Sequence, residues 1–127
     1  MKSIFTYTLG TLLFLTEGCQ KSENSPTITS KSCVPDKQPV KTVTDVEGTI
    51  GFHPILNQYY IRRTIPETYD SVDFGMLCGT VPTQLKVVGK KVLFSGTYKD
   101  YDKPSPAVVG GQTFYYLEVS KAQVYEN

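Results

Sequence analysis

The sequence predicts an all-β domain: a small five-stranded barrel, with a five- to six-stranded sandwich as the alternative. Three observations carry this expectation. Nine tyrosines, six phenylalanines and many Val and Thr residues favour strands, while ten glycines and eight prolines favour turns. From about residue 40 onward, apolar residues recur with period two in short runs. Breaks rich in Gly, Pro, Asn and Asp divide those runs into five.

The front of the chain has a different character. Met1 to Cys19 reads MKSIFTYTLGTLLFLTEGC, with one basic residue at Lys2, a mostly apolar run from Ile4 to Leu15, then Gly18 and Cys19. That is the layout of a secretory signal over residues 1–18. The apolar run is too short to span a bilayer, which takes about 20 apolar residues. The end Leu15-Thr16-Glu17-Gly18-Cys19 resembles a bacterial lipobox, although only Gly18 of the three places before the cysteine fits that pattern. Gln20-Lys21-Ser22-Glu23 is similar to the residues just after the acylated cysteine of many Bacteroidota lipoproteins. The resemblance implies that Cys19 takes the lipid, becomes the N-terminus, and holds the protein in the cell envelope, at the outer membrane or the periplasmic face.

The chain of 127 residues less those first 18 leaves 109, the size of one domain with one modest core. Thirteen basic residues face twelve acidic ones, and losing Lys2 and Glu17 leaves the balance at +1. Such a chain has no charge excess to hold nucleic acid. Of three cysteines, assigning Cys19 to lipid leaves Cys33 and Cys78 as a pair. In an oxidising envelope such a pair tends to bridge, which would stabilise the fold by about 4 kcal/mol in the chain-entropy account. The alternative is two thiols, Cys78 acting as a small buried hydrophobe.

Residues 19–39 are expected to form a flexible tether, because a tract of Ser, Thr, Lys and Pro cannot offset the entropy of ordering. The domain itself is expected over 40–127. Its first strand runs about Lys41 to Phe52, with Thr42, Thr44, Val46, Gly48, Ile50 and Phe52 on one side and Val43 out of step. Gly48 and Gly51 predict a bend or bulge. His53-Pro54-Ile55-Leu56-Asn57 supplies a turn. Gln58 to Ile65 is a second strand, with Tyr59, Ile61 and Arg63 alternating against Tyr60, Arg62 and Thr64.

Phe74 to Val81 is nearly continuous in apolar residues and predicts a buried third strand. Pro82 to Val88 reads equally as a turn of helix or an extended crossing. Lys90 to Lys99 is the fourth strand, Asp100 to Gln112 the longest loop, and Thr113 to Tyr125 the last strand. Five strands with a break between the third and fourth match the OB-fold. The segment Asp70 to Tyr98, with Val92-Leu93-Phe94-Ser95-Gly96, also resembles the OB-like domains of small Bacteroidota envelope lipoproteins, lacking only a clear helix between strands three and four.

Little in the sequence points to catalysis. The single histidine, His53, sits in a turn before proline, and no serine lies in a nucleophile-elbow pattern. Zinc would need Cys33 and Cys78 at a spacing no zinc module uses, and Glu67, Asp70, Asp73, Asp100 and Asp102 do not assemble the six to eight oxygens of a calcium site. An enzyme would require a pocket gathering His53, Asp70 and Asp102. The expectation is therefore a non-catalytic protein with no metal and no cofactor.

The richest cluster is Tyr59-Tyr60-Ile61-Arg62-Arg63, because OB-folds bind ligands over strands two and three between the loops after strands one and four. Tyr60, Arg62, Asp100 and Asp102 are the expected binding residues, for a glycan, a peptide or an envelope protein. In the plainer reading, Tyr59 and Ile61 fill the core while Tyr60 and Arg62 cover the outside. A second functional expectation is a secreted inhibitor or structural protein acting through the 100–112 loop, with Lys103-Pro104-Ser105-Pro106 at its tip.

Overall fold

The computed structural model describes residues 28–29, 34–104 and 110–125. The leader, Cys19, Cys33, most of the predicted tether and residues 105–109 of the long loop lie outside the described residues. Five strands succeed one another: β1 (Pro39–His53), β2 (Gln58–Thr64), β3 (Val72–Met76), β4 (Lys91–Asp100) and β5 (Gln112–Val124). They close into a barrel in the order β1-β2-β3-β5-β4, with β4 returning to β1. All neighbours are antiparallel except β3 and β5, which run parallel. This is the connectivity of a small OB-like barrel, and it replaces the sandwich alternative.

β1 serves two partners. Residues 39–49 pair with β4 and residues 49–53 pair with β2, so the strand must bend sharply to close the barrel. The bend is a bulge in which Thr44 and Asp45 together face Ser95. Asp45 takes a left-handed φ of 48°, and its N–H donates to the Ser95 hydroxyl at 2.9 Å. The extra residue shifts the alternation, so Val43 is buried before the bulge and Gly48 and Ile50 after it. The misfit of Val43 in the sequence is the mark of this bulge.

Gly48 and Gly51, expected at the bulge, do something else. A Cβ on Gly48 would lie 2.5 Å from Ile61 Cγ2, and one on Gly51 would lie 2.3 Å from the Tyr60 ring. Each glycine makes room for a β2 side chain, Gly48 on the inside of the barrel and Gly51 on the outside.

β3 is buried along its whole length, as its apolar run predicts, but it begins at Val72 and ends at Met76. Gly79, at φ 79°, turns the chain before Pro82, so Cys78 to Val81 leave the sheet. The segment between β3 and β4 resolves into one short 3-10 turn, Thr83–Leu85. Its Leu85 is fully buried and plugs the barrel where a helix would otherwise cap it. The core around it is built from Ile50, Ile61, Leu77, Phe94, Leu117 and Val119 with their neighbours.

A second apolar layer lies outside the sheet, over β2, β3 and β5. Val72, Phe74 and Met76 are buried there, packed with Leu56, Tyr60, Tyr101 and Phe114. β3 is hidden on both faces because this layer covers the side that the core does not.

The described end of the predicted tether rests on the barrel. Lys37 Nζ reaches Asp102 Oδ2 at 3.0 Å and the Asp100 carbonyl at 3.1 Å. Lys99 Nζ donates to the Val34 carbonyl at 3.1 Å, and Ile28 packs against the core. Polar composition allowed a tether here, but lysine-to-oxygen contacts hold this part against β4 and the long loop.

Candidate ligand site at the barrel mouth

The β1–β2 turn lies at one end of the barrel. The Leu56 N–H donates to His53 Nδ1 at 3.2 Å, so the lone histidine is engaged in shaping that turn. Asn57, at φ 52°, redirects the chain into β2. This places Phe52, in phase with the core but at its open end, directly opposite Tyr59. Their ring centroids lie 4.8 Å apart with the planes tilted by 59°.

A cavity of about 520 Å³ opens between these rings and the segment after β3. Asn57, Gln58, Leu77, Gly79 and Val81 line it. Lys86, just past the 3-10 turn, completes the rim. The volume falls in the range of small-molecule sites, roughly 300–1,000 Å³, which combine apolar and aromatic walls with a few polar groups. Among the described residues Lys86 forms no ion pair. The Gln58 Oε1 atom is buried and has no hydrogen-bond partner among the described residues.

The expected binding residues are distributed over the opposite side of β2. Tyr60 is half-buried and meets Phe74 edge-on at 5.1 Å. From there an aromatic row continues through Phe114, stacked on Phe74 at 5.0 Å, to Tyr101 and Tyr116. Arg62 is exposed on the same face as Tyr60 and borders a smaller cavity of about 210 Å³ with Glu47, Thr49 and Thr64. Tyr60 and Arg62 are thus neighbours, whereas Asp100 and Asp102 lie across the aromatic row from them.

Asp102 is already engaged. Its Oδ1 accepts from the Tyr116 hydroxyl at 2.8 Å, and Oδ2 pairs with Lys37. Hydrogen bonds from Lys37 and Tyr116 hold its carboxyl below the usual carboxylate range. Burial, then the bond to Asp102, pushes the Tyr116 hydroxyl up to about 12. Asp100 is exposed, and its backbone carbonyl serves Lys37. The tip Lys103-Pro104-Ser105-Pro106 falls partly outside the described residues.

The far end of the barrel is sealed by charge. Asp73 is buried inside it and paired with Lys41, whose ammonium lies 5.2 Å from the Tyr98 ring centre and 5.0 Å from that of Tyr115. The buried Tyr98 hydroxyl has no hydrogen-bond partner among the described residues, and burial followed by the Asp73 charge raises its pKa strongly. Among the described residues, no three His, Cys, Asp or Glu side chains gather in a metal-sized group. His53, Asp70 and Asp102 are not brought together in either cavity.

Sequence reasoning did not find Gln58 or Lys86 as site residues. Gln58 reads as an ordinary strand residue, and Lys86 sits in the stretch of undecided periodicity. A comparison with protein-family models and with curated proteins finds no match for the chain.

Proposed function

We propose that the protein is a non-catalytic binding module of the cell envelope, anchored by lipid at Cys19, which holds a small polar ligand in the mouth of its barrel. The observation that carries this reading is the 520 Å³ cavity walled by the paired rings of Phe52 and Tyr59. A glycan or a short peptide has the matching chemistry, with donors set next to apolar faces. Confinement at a membrane would raise the effective concentration of the module near its target.

A bridge between Cys33 and Cys78 belongs to the same proposal. Supporting it, Cys78 is buried and has a bonding partner. The neighbouring Val34 is held by Lys99, which pairs with Tyr116, itself opposite Met76 two residues before Cys78. The bridge would form part of the cavity wall, since Cys78 lines it.

The site is tested with the mature protein and a glycan and peptide array. Gln58→Leu and Tyr59→Ala are expected to abolish the array signal, while Arg62→Ala leaves it unchanged. Loss with Arg62→Ala and retention with Gln58→Leu would move the site to the outer face of β2. Array signals that none of these variants alters would remove both locations. Palmitate labelling that survives Cys19→Ala would remove the anchor, and equal thiol counts with and without reductant would remove the bridge.

A further inference from the structure

The N-terminal segment meets the barrel through two lysines of unlike burial. Lys99, on β4, is 5% exposed. Its ammonium is met by Glu118 Oε1 at 2.6 Å and by two carbonyls of the segment, Val34 at 3.1 Å and Pro35 at 3.4 Å. A buried ammonium needs such acceptors, because an unmet charge away from water is costly. Residues 34–37 form a turn closed by the Lys37 N–H, which donates to the Val34 carbonyl at 3.2 Å. That turn therefore helps to solvate a side chain that belongs to the barrel.

The second lysine points the other way. Lys37 leaves the same turn and lies 5.7 Å from the centre of the Tyr116 ring. Its ammonium reaches Asp102 and the Asp100 carbonyl, where β4 gives way to the long loop. Asp102 also accepts from the Tyr116 hydroxyl, so the carboxylate is tied to both the turn and β5. Lys37 is half-buried and Asp102 exposed, which leaves this contact open to screening by salt. The barrel thus grips the turn through Lys99, and the turn grips the loop through Lys37.

We propose that the 34–37 turn is a latch on the 100–112 loop. Seated over Lys99, it carries Lys37 onto Asp102 and holds the base of the loop against β5. When the chain before Val34 is drawn away from the barrel, the Lys37 ammonium leaves with it and the base of the loop is released. An exposed lysine–aspartate pair on its own contributes little, so the order it confers on the loop depends on the turn being held in place. Such coupling is reciprocal: loosening the loop loosens the turn by the same factor. The latch makes the loop responsive to whatever grips the N-terminal side of the chain.

NMR on the full mature chain provides the test. Amide exchange at Lys37 reports on the turn, and titration of the Asp102 carboxyl reports on the loop contact. Hydrogen bonds from Lys37 and Tyr116 hold that carboxyl below its usual range in the wild type. Lys99→Met removes the grip on the turn. It is expected to speed Lys37 exchange roughly tenfold or more, as lost charge-assisted hydrogen bonds would. It is also expected to move the Asp102 titration up towards its value in Lys37→Ala. Asp102→Asn, an exposed change, approaches from the other side and is expected to speed Lys37 exchange by about two- to fivefold. Added salt should reproduce that effect in the wild type and do little more in Asp102→Asn. An Asp102 titration that Lys99→Met leaves unchanged would overturn the latch, since the two contacts would then be independent. So would Lys37 exchange that is the same in Asp102→Asn and the wild type, a result that decides the matter alone if Lys99→Met fails to fold.

Discussion

Asp73 and Lys41 form the ion pair inside the barrel, and their unequal burial makes a prediction. Asp73 is 2% exposed, whereas about a third of the Lys41 side chain reaches solvent. Removing the lysine strands a buried carboxylate, and breaking a buried pair in that way costs about 3–5 kcal/mol. Removing the aspartate leaves an ammonium that can turn outward and remain over the Tyr98 and Tyr115 rings. Lys41→Met is therefore expected to lower the unfolding free energy by about 3 kcal/mol, and Asp73→Asn by clearly less. Urea unfolding of the two variants checks the order, and a larger loss in Asp73→Asn would contradict this account of the pair. Neither partner was legible as a pair in the sequence, because they lie 32 positions apart and meet only when β1 and β3 face each other across the barrel interior.

At the scale of elements, the bulge in β1 and the glycines beyond it decide how the barrel closes. Gly48 must accept Ile61 and Phe94 against its backbone, with a Cβ also meeting the Arg62 carbonyl at 3.1 Å. Gly48→Ala is expected to cost about 1–3 kcal/mol through this overpacking, read as a fall in the thermal midpoint. An unchanged midpoint would mean that β1 and β2 can separate without loss. The number and order of the strands were legible because alternation and Gly or Pro breaks are local signals. The bulge left only Val43 as its trace, since the glycines nearby were the more obvious candidates. β3 was displaced because a continuous apolar run has no phase, so nothing local says where the ladder ends. The 3-10 turn stayed undecided for a related reason: one buried residue, Leu85, is too few to set a period.

Over the whole molecule, the barrel has two unlike ends. One is sealed by the Lys41–Asp73 pair and held to the N-terminal segment through Lys37 and Lys99. The other holds the cavity beside the rings of Phe52 and Tyr59. The sequence pointed to β2 as the functional strand but to its outer face; the cavity instead uses Gln58 and Tyr59, at the strand's beginning. Only closure of the barrel brings the segment after β3 opposite them. Chemical-shift mapping of the mature protein during titration with a glycan or peptide taken from the array tests this placement most directly. The account predicts that the amide signals of Phe52, Gln58, Tyr59, Gly79 and Lys86 move together while those of Arg62, Tyr101 and Asp102 stay still; shifts confined to Arg62, Tyr101 and Asp102 would contradict it.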